Sequence, residues 1–216
     1  MIIVLTKAPV AGRVKTRLCP PCTPAQAAAI AQASLTDTLT TVAEVPAPRR
    51  LLALDGLPGP WVPDAFEVVP QRPGSLGDRL ADAFKRAGGP AFAVGMDTPQ
   101  LTPALLAHAA RQLRHADAAL GLAADGGYWG IGLREPYAGA FNDVPMSTPY
   151  TGAAQREHLQ GLGLTVRDLP ILRDVDTYDD ALAVARQVAP GSAFAQTMTR
   201  QGALSAGSRR RRRARA

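Results

Sequence analysis

The sequence lacks the features that would define several other classes of protein. Its only cysteines, Cys19 and Cys22, have no second cysteine pair or nearby histidine to complete a four-ligand zinc site. A thioredoxin-like motif requires a strand directly before its two cysteines, and no strand directly precedes the Cys-Pro-Pro-Cys segment. We therefore predict ordinary loop residues there. No apolar run approaches the roughly 20 residues that span a bilayer. Residues 1–6 have no basic lead-in and favour a first buried strand over a signal peptide, so we expect a cytoplasmic protein.

Outside the C-terminal end the chain also lacks net charge. Six of the 24 lysines and arginines lie at 209–213 and 215, and the other 18 balance the 18 acidic residues. An arginine run can hold nucleic acid through counterion release. The run follows a flexible Gly/Ser/Ala segment and has no interleaved aromatic residues to stack on bases. We therefore predict that 196–216 is a flexible basic tail and that nucleic acid is not the partner of the folded part.

What the chain does contain is a regular alternation of strand and helix patterns over residues 1–195. With 46% hydrophobic residues, it can bury the core of a single domain. The alternation predicts an α/β fold with a mostly parallel central sheet and helices on both faces. The predicted strands cover 1–6, 50–55, 66–70, 91–96, 118–123, 128–133 and 164–169, and the predicted helices cover 24–45, 76–87, 103–115 and 178–188.

A cluster of cations follows the first predicted strand. Four of them, together with Gly12, occur within eleven residues, and they are Lys7, Arg13, Lys15 and Arg17. Ligands of open α/β sheets bind outside the carboxyl ends of the strands, so this loop indicates an anionic guest such as a polyphosphate. The segment is not a P-loop, because the Gly-Lys-Ser/Thr ending is missing. The alternative is a solvated basic loop.

Carboxylates follow two other predicted strands. Asp97 leaves the strand at 91–96 and precedes Thr98-Pro99, and this suits a magnesium ligand, although it could merely cap a turn. Asp174 and Asp176 follow the last strand and alternate along an extended segment, so both face one side. One of the two could complete a metal site with Asp97.

Two further segments are expected to line the same crevice. Gln71 leaves the third strand shortly before Gly74; a glutamine amide can read a base edge, and a glycine permits close backbone approach. Asp125 precedes two glycines and the aromatic pair Tyr128-Trp129. Aromatic rings at this edge could stack on a sugar or base, but a tight turn with partly buried rings explains them equally well.

These segments together resemble a known family. Residues 7–18, 71–80, 95–101, 125–133 and 174–177 are similar, in the same order, to bacterial cofactor-biosynthesis-like glycosyltransferases, some labelled arsenosugar-biosynthesis glycosyltransferases. That family belongs to the GT-A, or nucleotide-diphospho-sugar transferase, superfamily and is similar to the 2-phospholactate guanylyltransferases. The resemblance covers about residues 1–190 and implies a GT-A-like three-layer fold.

The resemblance also implies roles for individual residues. The nucleotide phosphates would lie against Lys7, Gly12, Arg13, Lys15 and Arg17. The base would lie near Gln71 and Gly74. Asp97 matches the metal-binding aspartate, and Asp176, with Asp174 as the alternative, matches the second carboxylate, with Mg2+ or Mn2+ as cofactor. By resemblance and position, Tyr150, Thr151 and Gly152 would lie on the acceptor side. The chain departs from the nucleotidyltransferases in lacking Gly-x-Gly-x-Arg, and from many glycosyltransferases in having one aspartate at 97 instead of Asp-x-Asp.

Three functions follow as hypotheses. The first is metal-dependent glycosyl transfer from a nucleotide-diphosphate sugar to a small acceptor, with Asp125 as base or acceptor-binding residue and with Tyr128 and Trp129 shaping the acceptor pocket. The second is nucleotidyl transfer from a nucleoside triphosphate to a small phosphorylated or acidic acceptor, with Lys15 or Arg17 on the transferred phosphoryl group. The third is a non-catalytic nucleotide sensor or a nucleic-acid binder that acts through the tail.

Overall fold

A computed structural model describes residues 1–202 and contains seven strands and six helices in this range. The strands are β1 (Ile2–Lys7), β2 (Arg50–Asp55), β3 (Glu67–Pro70), β4 (Ala91–Val94), β5 (Ala118–Ala123), β6 (Tyr128–Leu133) and β7 (Val166–Leu172). The helices are α1 (Pro24–Glu44), α2 (Leu76–Ala87), α3 (Pro103–Gln112), α4 (Thr151–Gly161), α5 (Tyr178–Ala185) and α6 (Ala193–Arg200).

All seven strands form one sheet in the order β3-β2-β1-β4-β6-β5-β7. Strands β1 to β4 run parallel to one another, β5 runs parallel to β7, and β6 is antiparallel to both of its neighbours, β4 and β5. The carboxyl ends of six strands therefore meet at one edge of the sheet. This edge carries the loop after β1, Asp97 after β4 and the acidic segment after β7.

Alternate residues of the strands pack into two hydrophobic layers, one on each face of the sheet. Val4 and Leu52 pack on one face with α1 and α3, whereas Ile3 and Leu51 pack on the other with α2 and α4. This period of two is what strands covered on both sides require. A third cluster joins α1, α5 and α6 beyond the sheet, with Ile30, Val184 and Phe194 fully buried.

Side-chain caps determine where several helices begin. Thr23, Ser75 and Thr177 each accept a hydrogen bond from the third residue of the following helix, whose side chain accepts in return from the cap backbone. Gly88 ends α2 in the left-handed conformation, with φ of 67°. These local signals fix where α1, α2 and α5 begin and where α2 ends.

The predicted fold class is confirmed: the sheet is mostly parallel and has helices on both faces. Two helices were not predicted. The N-cap residue before α4, Tyr150, makes no side-chain cap, and α6 lies within the segment assigned in part to the tail. The predicted domain boundary at 195 falls inside α6, whose Met198 is fully buried. The predicted tail from 203 onwards, with its arginine run, lies outside the described residues. None of the helices in residues 1–202 has the length and apolar character needed to cross a membrane.

Candidate active site

A crevice of about 780 Å³ opens at the carboxyl edge of the sheet, and most of the predicted site residues line it. The predicted residues among its walls are Lys7, Arg13, Lys15, Arg17, Gln71, Asp97, Asp125, Tyr128, Trp129, Thr151 and Asp176. The three predicted glycines at 12, 74 and 152 are not among them. Residues more than 100 positions apart in the chain therefore meet around one cavity, as the alternation of strands and helices predicts.

Lys15 joins the two predicted metal carboxylates at the floor of this crevice. Its Nζ forms an ion pair with Asp97 Oδ1 at 2.7 Å and donates a hydrogen bond to Asp176 Oδ1 at 3.0 Å. The Lys15 side chain is 8% exposed, whereas those of Asp97 and Asp176 are 37% and 33% exposed. The lysine backbone is left-handed, with φ of 48°, and a 3-10 turn over 16–18 follows it. This turn directs the lysine inward.

The surrounding charges shift the pKa of both Lys15 and Asp174. Burial alone would lower the pKa of Lys15, but the carboxylates of Asp97 and Asp176 outweigh burial, and the net effect raises it. Burial, followed by the negative charges of Asp97 and Asp125, raises the pKa of Asp174 to about 7. Lys15 is thus held firmly in its charged form, and Asp174 is easily protonated.

The acidic residues are suited to a divalent cation of the magnesium type. Residues 1–202 contain no group of three or more His, Cys, Asp or Glu side chains already arranged around a metal position. Magnesium commonly takes only one or two protein carboxylates and completes its shell with phosphate oxygens and water. Asp97 and Asp176 meet this requirement. Asp174 Oδ1 is buried beside them without a hydrogen-bond partner in the described chain, and a cation would satisfy it.

The other cations of the first loop lie around the mouth of the crevice. Lys7 and Arg13 are exposed and form no ion pair with any carboxylate in residues 1–202. Both also line a second, smaller cavity of about 270 Å³ after β1 and β2. Arg17 is 77% exposed and lies 3.4 Å from Asp176 Oδ2. Lys7 and Arg13 are therefore free to meet an anion, whereas Lys15 is already engaged.

The side chain of Gln71 is already bound within the protein. Its Nε2 donates to the backbone oxygens of Thr6 and Ala53, at 2.7 and 2.9 Å, and its Oε1 accepts from Arg79. Both amide hydrogens are used, so the amide has no donor left for a base edge. Gln71 links β1, β2 and α2 beneath the crevice. Base binding at this position stays a prediction, and if it occurs it must use the remaining lone pair of Oε1 or the backbone.

The local backbone conformation or packing explains why glycine stands at each of the three predicted positions. Gly12 and Gly74 have positive φ angles of 78° and 127°, which favour glycine. Gly152 permits a close approach, because a Cβ there would lie 2.6 Å from the backbone oxygen of Gly127. Its amide donates to Gly126 O at 2.8 Å, so the beginning of α4 packs against the turn after β5 at this glycine. The structure thus shows Gly152 as a packing residue, and its place on an acceptor side stays a prediction.

Asp125 and Thr151 are the residues that precede Gly126 and Gly152, which are joined by a backbone hydrogen bond. Asp125 is exposed, and its Oδ1 accepts from Gly127 N at 2.9 Å, which leaves Oδ2 open to the crevice. Thr151 is buried, and its hydroxyl donates to Pro145 O at 2.7 Å and accepts from Thr148 N. Asp125 has the freedom that an acceptor-binding or basic residue needs. Thr151 holds the loop over 145–150 that covers the crevice.

The two aromatic residues of β6 differ in their surroundings. The Trp129 side chain is buried in the core against Phe92 and Gly121, and its Nε1 donates to Pro170 O at 2.9 Å. Its ring therefore packs mainly in the core of the sheet, although the residue also borders the crevice, and its role in the acceptor pocket stays a prediction. Tyr128 lies on the other face of β6 and donates a hydrogen bond to Met146 Sδ. Burial raises its pKa.

Sequence reasoning missed several polar residues of the crevice, among them Arg79, Thr98 and Thr148. Arg79 projects from the first turns of α2 towards Asp55 and Gln71, Thr98 follows Asp97 directly, and Thr148 precedes α4. The Thr98 hydroxyl is buried and has no partner in the part of the chain that the structure describes. Thr98 lay within a segment already identified, so its neighbour Asp97 could have indicated it. Arg79 lay within the 71–80 segment, but its position inside an amphipathic helix gave no sign that it would face the crevice.

The Cys-Pro-Pro-Cys segment forms a loop before α1, as predicted, and neither cysteine lines the crevice. Cys19 and Cys22 are both free, and Cys22 is buried among the side chains that join α1, α5 and α6. Burial raises the pKa of the Cys22 thiol, so it is less reactive than an exposed thiol. These cysteines act as packing residues in the described structure.

The fold and this crevice together define the class of nucleotide-diphospho-sugar transferase-like α/β proteins. A protein from Desulfovibrio desulfuricans G20, which carries the provisional description of nucleotide-diphospho-sugar transferase, is 26% identical and has a TM-score of 0.85. The match covers 94% of this chain and 95% of that one. The chain itself belongs to the bacterial family described as "Uncharacterized protein conserved in bacteria (DUF2064)", whose model matches residues 27–148. A comparison with curated proteins found no match to this sequence.

More distant structures share the fold alone. CMP:2-keto-3-deoxy-manno-octonic acid synthetase, solved in complex with CTP, is 14% identical with a TM-score of 0.51, over 87% of this chain and 99% of that one. The 4-diphosphocytidyl-2C-methyl-D-erythritol synthase of Anaerococcus prevotii DSM 20548 is 11% identical with a TM-score of 0.52, over 85% of this chain and 94% of that one. The resemblance stated from the sequence is thus confirmed at the level of fold and superfamily.

Proposed function

We propose that this protein is a metal-dependent transferase that uses a nucleotide-activated donor, and that the reaction is glycosyl transfer from a nucleotide-diphosphate sugar to a small acceptor. One observation carries the proposal: the carboxylates of Asp97 and Asp176 converge at the floor of a crevice whose mouth carries the unpaired cations Lys7 and Arg13. Negative groups for a cation and positive groups for phosphates are the two requirements of a metal-complexed diphosphate.

The roles of the residues follow from their positions. Lys7, Arg13 and Arg17 would hold the phosphates, with the positive φ of Gly12 shaping the loop between them. Asp97 and Asp176 would hold Mg2+ or Mn2+, which when bound neutralises charge on the diphosphate leaving group. The large volume of the crevice leaves room for a nucleotide and a small acceptor together, since ligand pockets commonly measure 300–1,000 Å³.

The acceptor would lie on the β6 side of the crevice. Asp125 Oδ2 is open there, and Asp125 lies close enough to Asp174 to raise its pKa. We propose Asp125 as the group that orients the acceptor or takes its proton. Tyr128 contributes to the same wall. Thr148 and Thr151 position the loop that closes this side.

Nucleotidyl transfer is the second candidate, and the number of cations favours it. Four positive side chains around one crevice suit a triphosphate, whose cleavage would release pyrophosphate. In that reaction Lys15 or Arg17 would contact the transferred phosphoryl group. The two reactions differ in product, so product analysis separates them directly.

Ligand-induced stabilisation followed by product analysis tests the proposal. Nucleoside triphosphates and nucleotide-diphosphate sugars would be screened by thermal shift, each with and without Mg2+. A ligand at 100 times its Kd adds about 2.7 kcal/mol of stability, which is readily detected. Asp97→Asn should abolish the metal-dependent part of the shift. Asp82→Asn is the matched control, since within residues 1–202 Asp82 forms an ion pair with Arg86 alone, on α2.

The products then separate the two reactions. Release of a nucleoside diphosphate with transfer of the sugar supports the first candidate, and release of pyrophosphate supports the second. Absence of any nucleotide-induced shift with either class of donor would reject both.

A further inference from the structure

One ammonium group lies between the two carboxylates that we propose as metal ligands. Lys15 Nζ is 2.7 Å from Asp97 Oδ1 and 3.0 Å from Asp176 Oδ1, and its side chain is 8% exposed. The three residues come from the loop after β1, the end of β4 and the segment after β7. The lysine is therefore a built-in counter-ion that occupies the carboxylate oxygens on which a cation would depend.

We infer that Lys15 competes with the divalent cation for Asp97 and Asp176, so that the protein binds metal weakly until an anionic ligand gives the ammonium another partner. This inference rests on the proposed function, since it takes Asp97 and Asp176 as metal ligands. It assigns to Lys15 a role that differs from a simple phosphate contact. Lys15 pairs with both carboxylates when no metal is bound and moves away from them when metal binds.

Competition follows from distance and burial. A carboxylate oxygen that bound both the ammonium and a metal ion would bring two positive charges within about 4–5 Å of each other. Water and salt screen such a repulsion little in a partly buried site. The metal can therefore bind these oxygens well only when Lys15 moves away from them.

The need for an anion follows from the position of the lysine. A displaced ammonium that stays buried must find another negative partner, because an unpaired buried charge is costly. The unpaired cations Lys7 and Arg13 at the mouth would draw a phosphate group to the same crevice. Metal and phosphate should then each strengthen the binding of the other, since coupling between two ligands is reciprocal.

Direct metal binding in the absence of any nucleotide tests the competition. Mn2+ affinity would be measured by electron paramagnetic resonance on the wild type, Lys15→Met, Lys15→Gln and Arg17→Met. We expect both Lys15 variants to bind Mn2+ at least tenfold more tightly than the wild type. Arg17→Met removes the same charge, but its side chain is 77% exposed and lies only at the edge of the pair, so we expect a gain below about threefold. Equal gains in all variants would reduce the effect to overall charge and overturn the inference.

A measurement on the wild-type protein tests the inference without requiring that any variant folds. The chain has three lysines, Lys7, Lys15 and Lys85, so acetic anhydride labelling read by mass spectrometry resolves each one. We expect Lys15 to be poorly labelled without metal and to be labelled severalfold faster when Mn2+ alone is added. Lys85, exposed on α2, is the internal control and should not change. Unchanged or reduced labelling of Lys15 at saturating Mn2+ would overturn the inference.

A third arm uses the nucleotide and keeps the two proposals distinguishable. In the wild type, the best donor from the thermal-shift screen should tighten Mn2+ binding at least tenfold, and in Lys15→Met this gain should be much smaller. The first two arms contain no nucleotide, so they decide the role of Lys15 even if no donor binds. Conversely, donor binding with normal Mn2+ affinity in Lys15→Met would leave the proposed function intact and reject the competition.

Discussion

The backbone amide of Val175 donates a hydrogen bond to the backbone oxygen of Asp97 at 2.8 Å. This bond joins the segment after β7 to the end of β4, although β6 and β5 lie between these strands in the sheet. Because Val175 is fully buried, its neighbours Asp174 and Asp176 are directed towards Asp97 on either side of it. One backbone contact thus assembles the acidic floor of the crevice.

Replacing Asp97 with asparagine should lower the activity without changing the fold. The amide keeps the shape of the carboxylate but removes its charge, so we expect transferase activity to fall by about 100-fold or more. Circular dichroism and the unfolding midpoint should remain near those of the wild type, since Asp97 is 37% exposed. Activity within threefold of the wild type would remove Asp97 from the metal site, and Asp82→Asn serves again as the control.

Gly126→Ala should destabilise the protein strongly. Gly126 has φ of 91°, and an added Cβ would lie 1.7 Å from Pro149 O, so the loop over 145–150 would have to move. We expect a loss of about 2–4 kcal/mol in the free energy of unfolding, measured in urea.

Gly161→Ala provides the contrast within the same structure. Gly161 ends α4, and no other described part of the chain lies within 4 Å of a Cβ built there. Alanine should stabilise this helical position by about 0.5–1 kcal/mol. Similar losses in both variants would contradict the close contact between Gly126 and Pro149.

Asp117 should make stability depend on pH in the acid range. It accepts hydrogen bonds from the backbone and side chain of Thr165 and from Tyr137, and it pairs with Arg134. The hydrogen bonds from Thr165 contribute most to lowering the pKa of Asp117 from 3.8 to about 2. A carboxyl whose pKa is lower in the folded state stabilises the protein above its unfolded pKa and loses this contribution as the pH falls through the folded pKa.

Asp117→Asn checks this dependence. At pH 7 the variant should be less stable than the wild type by about 2 kcal/mol, because charge-assisted hydrogen bonds are weakened. The difference should shrink as the pH falls from about 4 to about 2. Urea unfolding at several pH values measures it, and a difference that is constant down to pH 2 would contradict the lowered pKa.

Trp129→Phe should affect stability and leave acceptor binding unchanged. Phenylalanine keeps an aromatic ring beside Phe92 but cannot donate to Pro170 O. We expect a loss of about 1–3 kcal/mol from the unpaired carbonyl and the smaller ring, with KM for the acceptor within twofold of the wild type. A large rise in that KM with normal stability would return the indole to the acceptor pocket.

How much of the site could be predicted depended on whether the signal was local. The cations over 7–17 and Asp97 come at the ends of strands with a clear apolar pattern, and Asp176 follows the last predicted strand. Their arrival at one edge was therefore foreseeable. The burial of the Trp129 ring could not be foreseen, because a β-strand alternates its faces and the sequence does not show which face of β6 meets the crevice. Gln71 has the right position, but its partners on β1 and β2 come from distant residues.

The sequence by itself determined the alternation of strands and helices, the capped starts of α1, α2 and α5, and the choice of charged residues after the strands, because these depend on neighbours a few positions apart. Only the tertiary structure decided that β6 runs antiparallel, that α4 seats on Gly126, and that Lys15 lies between Asp97 and Asp176. Such contacts join residues up to 161 positions apart. Their energies depend on burial and on the other charges nearby, which exist only when the chain has folded.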